Sequence, residues 1–504
     1  MTAQRAGTAI FDGFSQTLAK GGHDGLRAGV IGKDVIINGP FGPKPMIYAD
    51  YVASGRPLMQ VEEFMLHRVL PTYANTHTEA SHSGAETTRL REGARAVIAA
   101  ACGADDDFAV VFAGSGATAG LNRLVTLCGV PQAVAAGRPV RILHGPYEHH
   151  SNILPWRESG AEVIEIAECD TGGPCPDALE AALASAPRGA LLVGAFSAAS
   201  NVTGLVTDVA KITAILNRHG ARAIWDYAGG GPYLPIAMRP APGVTIDAIS
   251  ISPHKFLGGP GASGVMVIRR AVCVADRPSW PGGGTVTYVS PTMTRYSTRI
   301  EDREEAGTPN ILGDIRAGLA FLVKDAIGAA FLATRQAALT ARGLAFFRDQ
   351  PDLHLLGPAS HPRLPIFSCL FTGQDGKPVH YQFAARLLSD KYGVQARGGC
   401  ACAGPYAHRL LGFDATDEAR ILSAIDDGRE LDRPGFVRIN LSVLMPDTEI
   451  DTILGALAAI PRDAVAEARR YVADPATALF SPAPPLDEAR PPRRWRALWP
   501  FRAT

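Results

Sequence analysis

Seven short apolar runs follow one another through the first three-fifths of the chain, and longer segments of helical periodicity separate them. The runs are FAVVFAG, VRILHG, EVIEIA, ALLVGAF, RAIWDY, AISIS and SGVMVI. Most are rich in β-branched or aromatic residues, and Gly, Pro or Ser bounds them. This alternation predicts an α/β domain with a mostly parallel, buried, seven-stranded sheet. Ligands of such sheets bind at the carboxyl ends of the strands, so the candidate site residues should follow the runs directly.

The chain has 504 residues, which is more than one compact core accommodates. We expect an N-terminal arm over 1–45, a large α/β domain over 46–315 and a smaller α+β C-terminal domain over 316–462. Residues 463–504 form a Pro- and Arg-rich tail that we expect to be disordered. The tail ends in RRWRALWPFR, which could dock on a membrane surface or a partner, although a flexible terminus is the favoured interpretation.

The overall charge gives no reason to expect a nucleic-acid or membrane partner. Lys and Arg number 49 and Asp and Glu number 49, so the formal net charge is zero. No charged segment followed by an apolar core opens the chain, and no apolar run is long enough to cross a bilayer. The eight cysteines are scattered rather than arranged as a disulfide framework, which favours a cytoplasmic protein with reduced thiols.

A Gly-rich turn follows the first run in the segment VFAGSGATAGLNRL. Gly114, Gly116, Ala117 and Thr118 would present backbone N–H groups and a hydroxyl at the N-terminus of a helix, where a phosphate binds well. Many helices begin after such a turn without binding any ligand, so this signal is weak alone. It is not a P-loop, because no Gly-Lys-Ser/Thr follows.

Two charged residues follow later runs. Asp226 comes directly after an apolar run in AIWDYAGGG, and Lys255 follows Ser252 and His254 in SISPHKFLGGPG. Singly, Asp226 could be a helix cap and Lys255 a surface lysine. Together with the Gly-rich turn they match the needs of pyridoxal 5'-phosphate: a lysine that bonds to its aldehyde, a carboxylate for its pyridine nitrogen and a cradle for its phosphate.

Two histidines lie in PYEHHSNILPW, after the run VRILHG. The imidazole of one could lie flat on a cofactor ring and transfer protons. A pair of histidines in an ordinary loop is the alternative, and this stretch alone does not exclude it.

These residues resemble the class V aminotransferase family, and within it the cysteine desulfurases and selenocysteine lyases. The resemblance runs from about Tyr48 to Ile453 and its motifs follow the family's order. The motifs are DYVASG, YANTHTEASHSGAETTRLREGAR, GSGATAGLN, EHHSNILPW, SNVTG, SPHKFLGGPGASGVMV, REEAGTPN and FVRINLSVLMPDTEID. The resemblance implies the pyridoxal-phosphate-dependent fold type I and a homodimer.

The resemblance also implies a role for each matched residue. Lys255 would hold the cofactor, Asp226 would pair with the pyridine nitrogen, and His149 would stack on the ring. The phosphate would be held by Ala117, Thr118, Ser252 and His254, with Thr308 reaching the phosphate of the neighbouring subunit. Arg438 would bind the substrate carboxylate as a bidentate fork, Asn201 would face the ring oxygen or substrate, and His77 would line the substrate pocket.

One position departs from the family pattern. Desulfurases usually carry a Gln three residues after the Asp, where its amide hydrogen-bonds the phenolic oxygen of the cofactor. This chain has Gly229 there, and Tyr227 or a water could substitute.

The stretch GVQARGGCACAGPYAHR contains two thiols, Cys400 and Cys402. A zinc site needs more ligands than this stretch supplies, and a disulfide between the two would be strained. In desulfurases the persulfide-forming Cys lies five residues after an Arg, as Cys402 does after Arg397. ARGGCACAG also resembles the R-x-G-C-x-C stretch of molybdenum-cofactor sulfurases, in which the second Cys carries sulfur. The alternative is two small residues in a tight turn with no chemical role.

The reaction that these resemblances predict is removal of sulfur from L-cysteine, giving alanine and a Cys402 persulfide that a sulfur-acceptor protein would receive. Other class V reactions stay open: those of a selenocysteine lyase, a kynureninase-like hydrolase, an epimerase or a transaminase. A non-catalytic sulfur-carrier or scaffold component is a further alternative, against which the intact Lys255–Asp226 pair argues.

Overall fold

The computed structural model describes residues 8–76 and 78–483, which form two compact units. Unit 1 comprises Met1–Ile31, Ala53–Ser200 and Val206–Ala333. Unit 2 comprises Gly32–Val52, Asn201–Leu205 and Thr334–Thr504.

Strands are numbered in chain order. They are β1 (Ile36–Gly39), β2 (Gly42–Pro45), β3 (Ile47–Tyr48), β4 (Phe108–Gly114), β5 (Val140–His144), β6 (Glu162–Glu165), β7 (Leu191–Ser197), β8 (Arg222–Asp226), β9 (Ala248–Ile251), β10 (Gly264–Arg269), β11 (Val286–Val289), β12 (Thr294–Tyr296), β13 (Leu353–Leu355), β14 (Ile366–Phe371), β15 (Val394–Gln395), β16 (Arg397–Gly399), β17 (Phe436–Asn440), β18 (Tyr471–Ala473) and β19 (Phe480–Pro482).

The α-helices are numbered in the same way. They are α1 (Asp12–Gly29), α2 (Met59–Phe64), α3 (His82–Cys102), α4 (Gly116–Leu127), α5 (Val130–Ala135), α6 (Leu154–Arg157), α7 (Pro176–Ala184), α8 (Val209–Arg218), α9 (Ile300–Glu304), α10 (Ile311–Ile327), α11 (Ala329–Arg348), α12 (Tyr381–Tyr392), α13 (Gly404–Leu410), α14 (Ala415–Asp426) and α15 (Asp447–Glu467). Single 3-10 turns include His150–Asn152 and Pro253–Lys255.

The seven runs form one sheet in unit 1, in the order β4-β10-β9-β8-β7-β5-β6. Strands β5 to β9 pair in parallel, and β10 is antiparallel to both of its neighbours, β9 and β4. The predicted seven-stranded, mostly parallel sheet is therefore confirmed. In its register Ser197 lies opposite Asp226, and Asp226 lies opposite Ser250, so polar residues gather where β7, β8 and β9 end.

The sheet is buried because its strands are apolar on both faces. Val111, Ile142, Val193, Ile224 and Met266 all have 0% exposure. Burying each such side chain contributes about 1.5–3 kcal/mol, and helices that cover the faces complete the core. The rigid sheet thus fixes the positions of the strand ends.

Unit 2 is built on an antiparallel sheet in the order β13-β14-β17-β16. Strand β15 pairs in parallel with β3, and the Asn440 N–H donates to Ala49 O at 2.8 Å. The segment after β3 is therefore held against β17, which positions Asp50 beside the middle of that strand.

The domain boundaries predicted from the sequence differ from the structure. The boundary after residue 315 falls inside α10, whose Ile315, Leu319 and Val323 are buried, and unit 1 extends to Ala333. The predicted arm is divided, since α1 lies in unit 1 and β1–β2 lies in unit 2.

The predicted disordered tail also needs correction over 463–483. Helix α15 runs to Glu467, and β18 and β19 form a hairpin in which Tyr471 and Phe480 are buried. The ring of Phe480 stacks on Phe383 with centroids 5.2 Å apart. Residues 484–504, with their Trp and Arg residues, lie outside the described part of the chain.

Over residues 8–76 and 78–483, no single helix has the length and apolar character needed to cross a membrane. The bent pair α10 and α11 meets that criterion when the two helices are taken together, by length and composition only.

Candidate active site

Lys255 and Asp226 lie side by side at the carboxyl ends of neighbouring strands. Asp226 is the last residue of β8 and is 4% exposed, and Lys255 ends the 3-10 turn that follows β9. The Ala228 N–H donates to Asp226 Oδ1 at 2.7 Å. Burial raises the pKa of Asp226, and the Ala228 N–H and the Lys255 ammonium oppose that rise. The two predicted residues thus form one electrostatic pair.

The Gly-rich turn between β4 and α4 approaches Ser252 and His254. The Ala117 N–H donates to Ser252 Oγ at 2.9 Å, and Ser252 is 3% exposed. Gly116 has φ +62°, and a Cβ there would lie 3.0 Å from His254 Cε1 and 3.1 Å from Ser252 Oγ. Only glycine combines this backbone conformation with this close approach, so the turn offers bare backbone to a ligand.

The N-terminus of α4 is fixed against strand β9. Ser250 Oγ donates to Ala117 O at 2.8 Å, and a Cβ on Gly120 would lie 2.3 Å from the same Oγ. Helix and strand therefore pack at a distance that only glycine permits. The N-terminal N–H groups of α4 are held at the strand ends where Lys255 and Asp226 lie.

His149 is tied to the same helix through Ser151. The Ser151 N–H donates to His149 Nδ1 at 3.1 Å, and Ser151 Oγ lies 2.7 Å from Thr118 Oγ1. Because Nδ1 accepts from a backbone N–H, the neutral imidazole carries its proton on Nε2. His149 is half-buried, and Thr118 is exposed.

Glu148 lies next to His149 and was not singled out from the sequence. It is 2% exposed and accepts hydrogen bonds from Asn152 Nδ2 at 2.6 Å, from the Ser197 N–H at 2.8 Å and from Ser197 Oγ at 2.5 Å. Burial raises the pKa of Glu148 to about 7, although these donors oppose the rise. Glu148 therefore ties the His149 loop to the end of β7, one strand from Asp226.

His254 is neutral at physiological pH. Burial, and then the charge of Lys255, lower its pKa to about 4. Its imidazole beside Gly116 can therefore donate a hydrogen bond to an anion but contributes no net charge. The positive potential at this turn comes instead from the α4 N-terminus and Lys255.

A second group of predicted residues lies in unit 2, around Arg438 on β17. Arg438 is 3% exposed, and its Nη2 donates to Asp50 Oδ1 at 2.9 Å. Arg397 lies opposite Arg438 in the β16–β17 register, and its Nε donates to Asp50 Oδ2 at 2.9 Å. One buried carboxylate therefore pairs with both arginines. Asp50 stands in the motif DYVASG, but no role was predicted for it.

Asn201 links Arg438 to the cysteine-containing loop. Arg438 Nη1 donates to Asn201 O at 3.0 Å, and Asn201 Nδ2 donates to Ala401 O at 2.8 Å. Ala401 and Cys402 both have φ +54°, in the left-handed region that costs non-glycine residues about 1–2 kcal/mol each. The Asn201 amide thus holds a strained loop in place.

The two thiols of this loop are unequal. Cys400 is half-buried, its Sγ donates to Pro434 O at 3.0 Å, and burial raises its pKa. Cys402 is exposed. A thiol that must meet a substrate needs this exposure, so Cys402 is the better placed of the two.

Three other predicted positions stay without a tested role. Thr308 lies on an exposed loop between α9 and α10, and His77 lies outside the described residues. Tyr227 is 2% exposed and is close enough to Cys102 for that thiol to help raise its pKa, after burial. Tyr227 as a substitute for the Gln that Gly229 replaces stays a prediction.

All eight cysteines are free thiols in the structure. Within the described ranges, no group of three or more His, Cys, Asp or Glu side chains could hold a metal ion.

Comparisons with known proteins identify the family of the chain. A family model described as aminotransferase class-V matches residues 47–453. A cysteine desulfurase of Enterobacter sp. (strain 638) is 31% identical over 366 residues, covering 72% of this chain and 85% of the relative. A cysteine desulfurase of Klebsiella pneumoniae subsp. pneumoniae is 30% identical over 383 residues, covering 74% of this chain and 88% of the relative.

Two solved structures share the fold. The apo cysteine desulfurase of Thermococcus onnurineus matches with a TM-score of 0.67 at 23% identity, over 82% of this chain and 94% of that one. The cysteine desulfurase CsdA of Escherichia coli matches with a TM-score of 0.63 at 22% identity, over 81% of this chain and 93% of that one. Both neighbours belong to fold type I, which confirms the predicted fold class.

Proposed function

The chain belongs to the class V aminotransferase family, and we propose that it is a pyridoxal-phosphate-dependent cysteine desulfurase that converts L-cysteine to alanine and leaves a persulfide on Cys402. The observation that carries the proposal is the Lys255–Asp226 pair beside a bare glycine turn at the strand ends of unit 1. The curated relatives at 31% and 30% identity favour the desulfurase reaction among the reactions of the family.

The residues of unit 1 fit the cofactor by their chemistry. A Cβ on Gly116 would crowd His254 and Ser252, and α4 begins at this turn. The N-terminus of α4 therefore suits a phosphate, with Ser252 and neutral His254 as further donors. Buried Asp226 suits a ring nitrogen that must stay protonated, and Lys255 supplies the amine. Bound there, pyridoxal phosphate would accept the electron pair left at the substrate α-carbon.

The side chains of the chain supply the remaining steps. The Lys255 amine moves the proton at the substrate α-carbon, and His149, with its proton on Nε2, supports proton transfer over the cofactor ring. Arg438 binds the substrate carboxylate, and Asn201 contributes to the same pocket. The Cys402 thiolate attacks the substrate sulfur: the S–S bond forms, the Cβ–S bond breaks, and Cβ takes a proton to give alanine.

The cofactor is tested by its absorbance. We expect the purified protein to absorb in the visible range, with a band that borohydride reduction abolishes and that Lys255→Ala lacks. Lys211→Ala is the matched control, because Lys211 is an exposed lysine on helix α8 and does not lie at a strand end. This variant should keep the band. A colourless wild-type protein that binds no added pyridoxal phosphate would refute the proposal.

The reaction is tested by product release. Sulfide and alanine should form from L-cysteine with the wild type and with Cys400→Ser, and sulfide release should fall sharply with Cys402→Ser. Unchanged release with Cys402→Ser would refute the thiol assignment while leaving the cofactor assignment intact. A panel of amino acids, monitored through the cofactor absorbance, would show whether another substrate perturbs the site more strongly than cysteine does.

The proposal extends to a homodimer in which Thr308 contacts the phosphate bound to the partner subunit, and to a sulfur-acceptor protein that removes the persulfide. Light scattering on the purified protein measures the mass, and a monomer that is active would refute the dimer. Cytoplasmic location stays a prediction from the cysteine content, and cell fractionation tests it.

A further inference from the structure

Cys169 and Cys175 form a pair of thiols outside the site described above. They flank a tight turn in CDTGGPC, between the edge strand β6 and helix α7. The Gly172 N–H donates to Cys169 O at 2.8 Å, the Cys169 N–H donates to Gly173 O at 2.9 Å, and the Cys175 N–H donates to Ala167 O at 2.8 Å. These bonds fold the segment back on itself, so the backbone itself holds the two cysteines together.

The two thiols lie on the same face of this turn. Glu168 and Pro174 form an antiparallel β-bridge, and Cys169 and Cys175 each follow one of these two residues, so their side chains are diagonal neighbours across the bridge. At that separation the Cys169 thiol favours the thiolate at Cys175. Cys175 immediately precedes α7, a helix of nine residues, and the Ala178 N–H, followed by the Cys169 thiol, lowers its pKa. Burial, and then Cys175, raise the pKa of Cys169 to about 11. Both side chains are half-buried rather than enclosed.

We propose that Cys169 and Cys175 form a redox-active dithiol that closes to an intramolecular disulfide, with Cys175 as the attacking thiolate and Cys169 as the resolving thiol. The oxidant is a low-molecular-weight disulfide such as oxidised glutathione. The Cys175 thiolate attacks one of its sulfurs and expels one thiol. Cys169 then attacks Cys175 and expels the second, so that two protein thiols are oxidised while one disulfide is reduced to two thiols.

Two alternatives fit the pair less well. No group of three metal-ligating side chains occurs in the described residues, so a metal site at these two thiols lacks further ligands. Inert packing cysteines are enclosed, as Cys128 and Cys369 are at 0% exposure with the pKa raised by burial. Neither description fits a half-buried thiol beside the start of a helix with a second thiol diagonally across the same β-bridge.

Differential alkylation of the full-length protein tests the proposal. The protein is equilibrated in glutathione buffers of increasing oxidised fraction, quenched with acid, labelled with a first reagent, reduced and labelled with a second. Trypsin releases residues 158–188 with Cys169 and Cys175 as their only cysteines, and residues 398–409 with only Cys400 and Cys402. We expect Cys169 and Cys175 to acquire the second label together, and the unreduced peptide to be lighter by two hydrogen atoms.

Three variants complete the test. Cys169→Ser should trap a glutathione adduct on Cys175, whereas Cys175→Ser should slow the reaction of Cys169. Cys273→Ser removes another half-exposed thiol and should behave as the wild type does. Circular dichroism checks that each variant is folded. Retention of the first label at both cysteines in fully oxidised glutathione, or a wild-type peptide carrying one glutathione on an unclosed pair, would overturn the proposal.

Discussion

Arg438 donates from Nη2 to Asp50 Oδ1 at 2.9 Å, and the two residues are 3% and 9% exposed. A buried guanidinium requires such a counter-charge, because an unpaired charge in the interior is costly. The residue proposed to bind the substrate carboxylate therefore already carries a carboxylate of its own. This arrangement keeps Arg438 oriented, and it also limits the positive potential that the substrate meets.

Asp50→Asn should change both stability and substrate binding. We expect the free energy of unfolding to fall by about 3 kcal/mol, because a buried cation loses its partner. Variant protein that is folded should have a lower KM for cysteine, because less negative charge opposes the substrate carboxylate. Denaturant unfolding and steady-state kinetics measure the two effects.

Arg397→Gln is the control for Asp50→Asn. It removes the other arginine on Asp50, but the Arg397 side chain is 52% exposed, so the loss should be at most about 1 kcal/mol. Equal losses of unfolding free energy in the two variants would show that burial does not make the Asp50–Arg438 pair contribute more to stability than the exposed Asp50–Arg397 pair.

Glu148 should make stability depend on pH. Its pKa rises from 4.5 to about 7 on folding, so between these values the folded state binds more protons than the unfolded state. Stability contributed by the protonated group is complete below about pH 4.5 and is lost as pH rises towards 7, by on the order of 3 kcal/mol. Glu148→Gln should remove this dependence of the free energy of unfolding on pH.

The pH series for Glu148→Gln needs a second glutamate as control. Exposed Glu158, at the end of α6, can be changed to Gln without touching the buried network, and that variant should keep the wild-type slope. If wild type and Glu148→Gln have parallel profiles from pH 4.5 to 7, Glu148 is ionised throughout that range.

Glu305 should give stability the opposite pH dependence to that of Glu148, with the loss occurring under acid conditions. Burial raises its pKa, but Arg95 and Arg91 outweigh burial and lower that pKa from 4.5 to about 2. Its carboxylate accepts from Arg95 Nη1 at 2.7 Å and from the Phe112 N–H at 2.8 Å. The stability that it contributes is therefore present above about pH 4.5 and is lost as pH falls towards 2.

Glu305→Gln should accordingly cost about 3–5 kcal/mol at neutral pH and much less near pH 2. Chemical denaturation at several pH values measures the difference, and exposed Glu63→Gln serves as the control. A constant loss at every pH would mean that packing, and not the charge of Glu305, accounts for the effect.

The sequence predicted the strand ends of the site well, because the signal there is local. Short apolar runs bounded by glycine and serine predict strands; Asp226 ends one such strand, and Lys255 lies in the turn after the next. Helix α1 was missed although Phe14 and Leu18 have helical spacing, since its five glycines suggested an irregular arm. The contacts of Asp50 with Arg438 and of Glu148 with Ser197 join residues 388 and 49 positions apart, so no local pattern predicts them.

Asn201→Ala should loosen the loop that carries Cys402. The variant loses the 2.8 Å bond from Asn201 Nδ2 to Ala401 O, while Ala401 and Cys402 keep a strained φ of +54°. One hydrogen bond contributes about 1 kcal/mol, so opening should become roughly fivefold more frequent. Amide hydrogen exchange over residues 400–404 should accelerate by that factor.

Asn217→Ala is the matched control, because Asn217 Nδ2 likewise donates to a backbone carbonyl, Thr245 O at 3.1 Å. That variant should accelerate exchange near Thr245 only. Unchanged exchange at 400–404 in Asn201→Ala would show that the backbone bonds of the loop hold its strained conformation without the Asn201 amide.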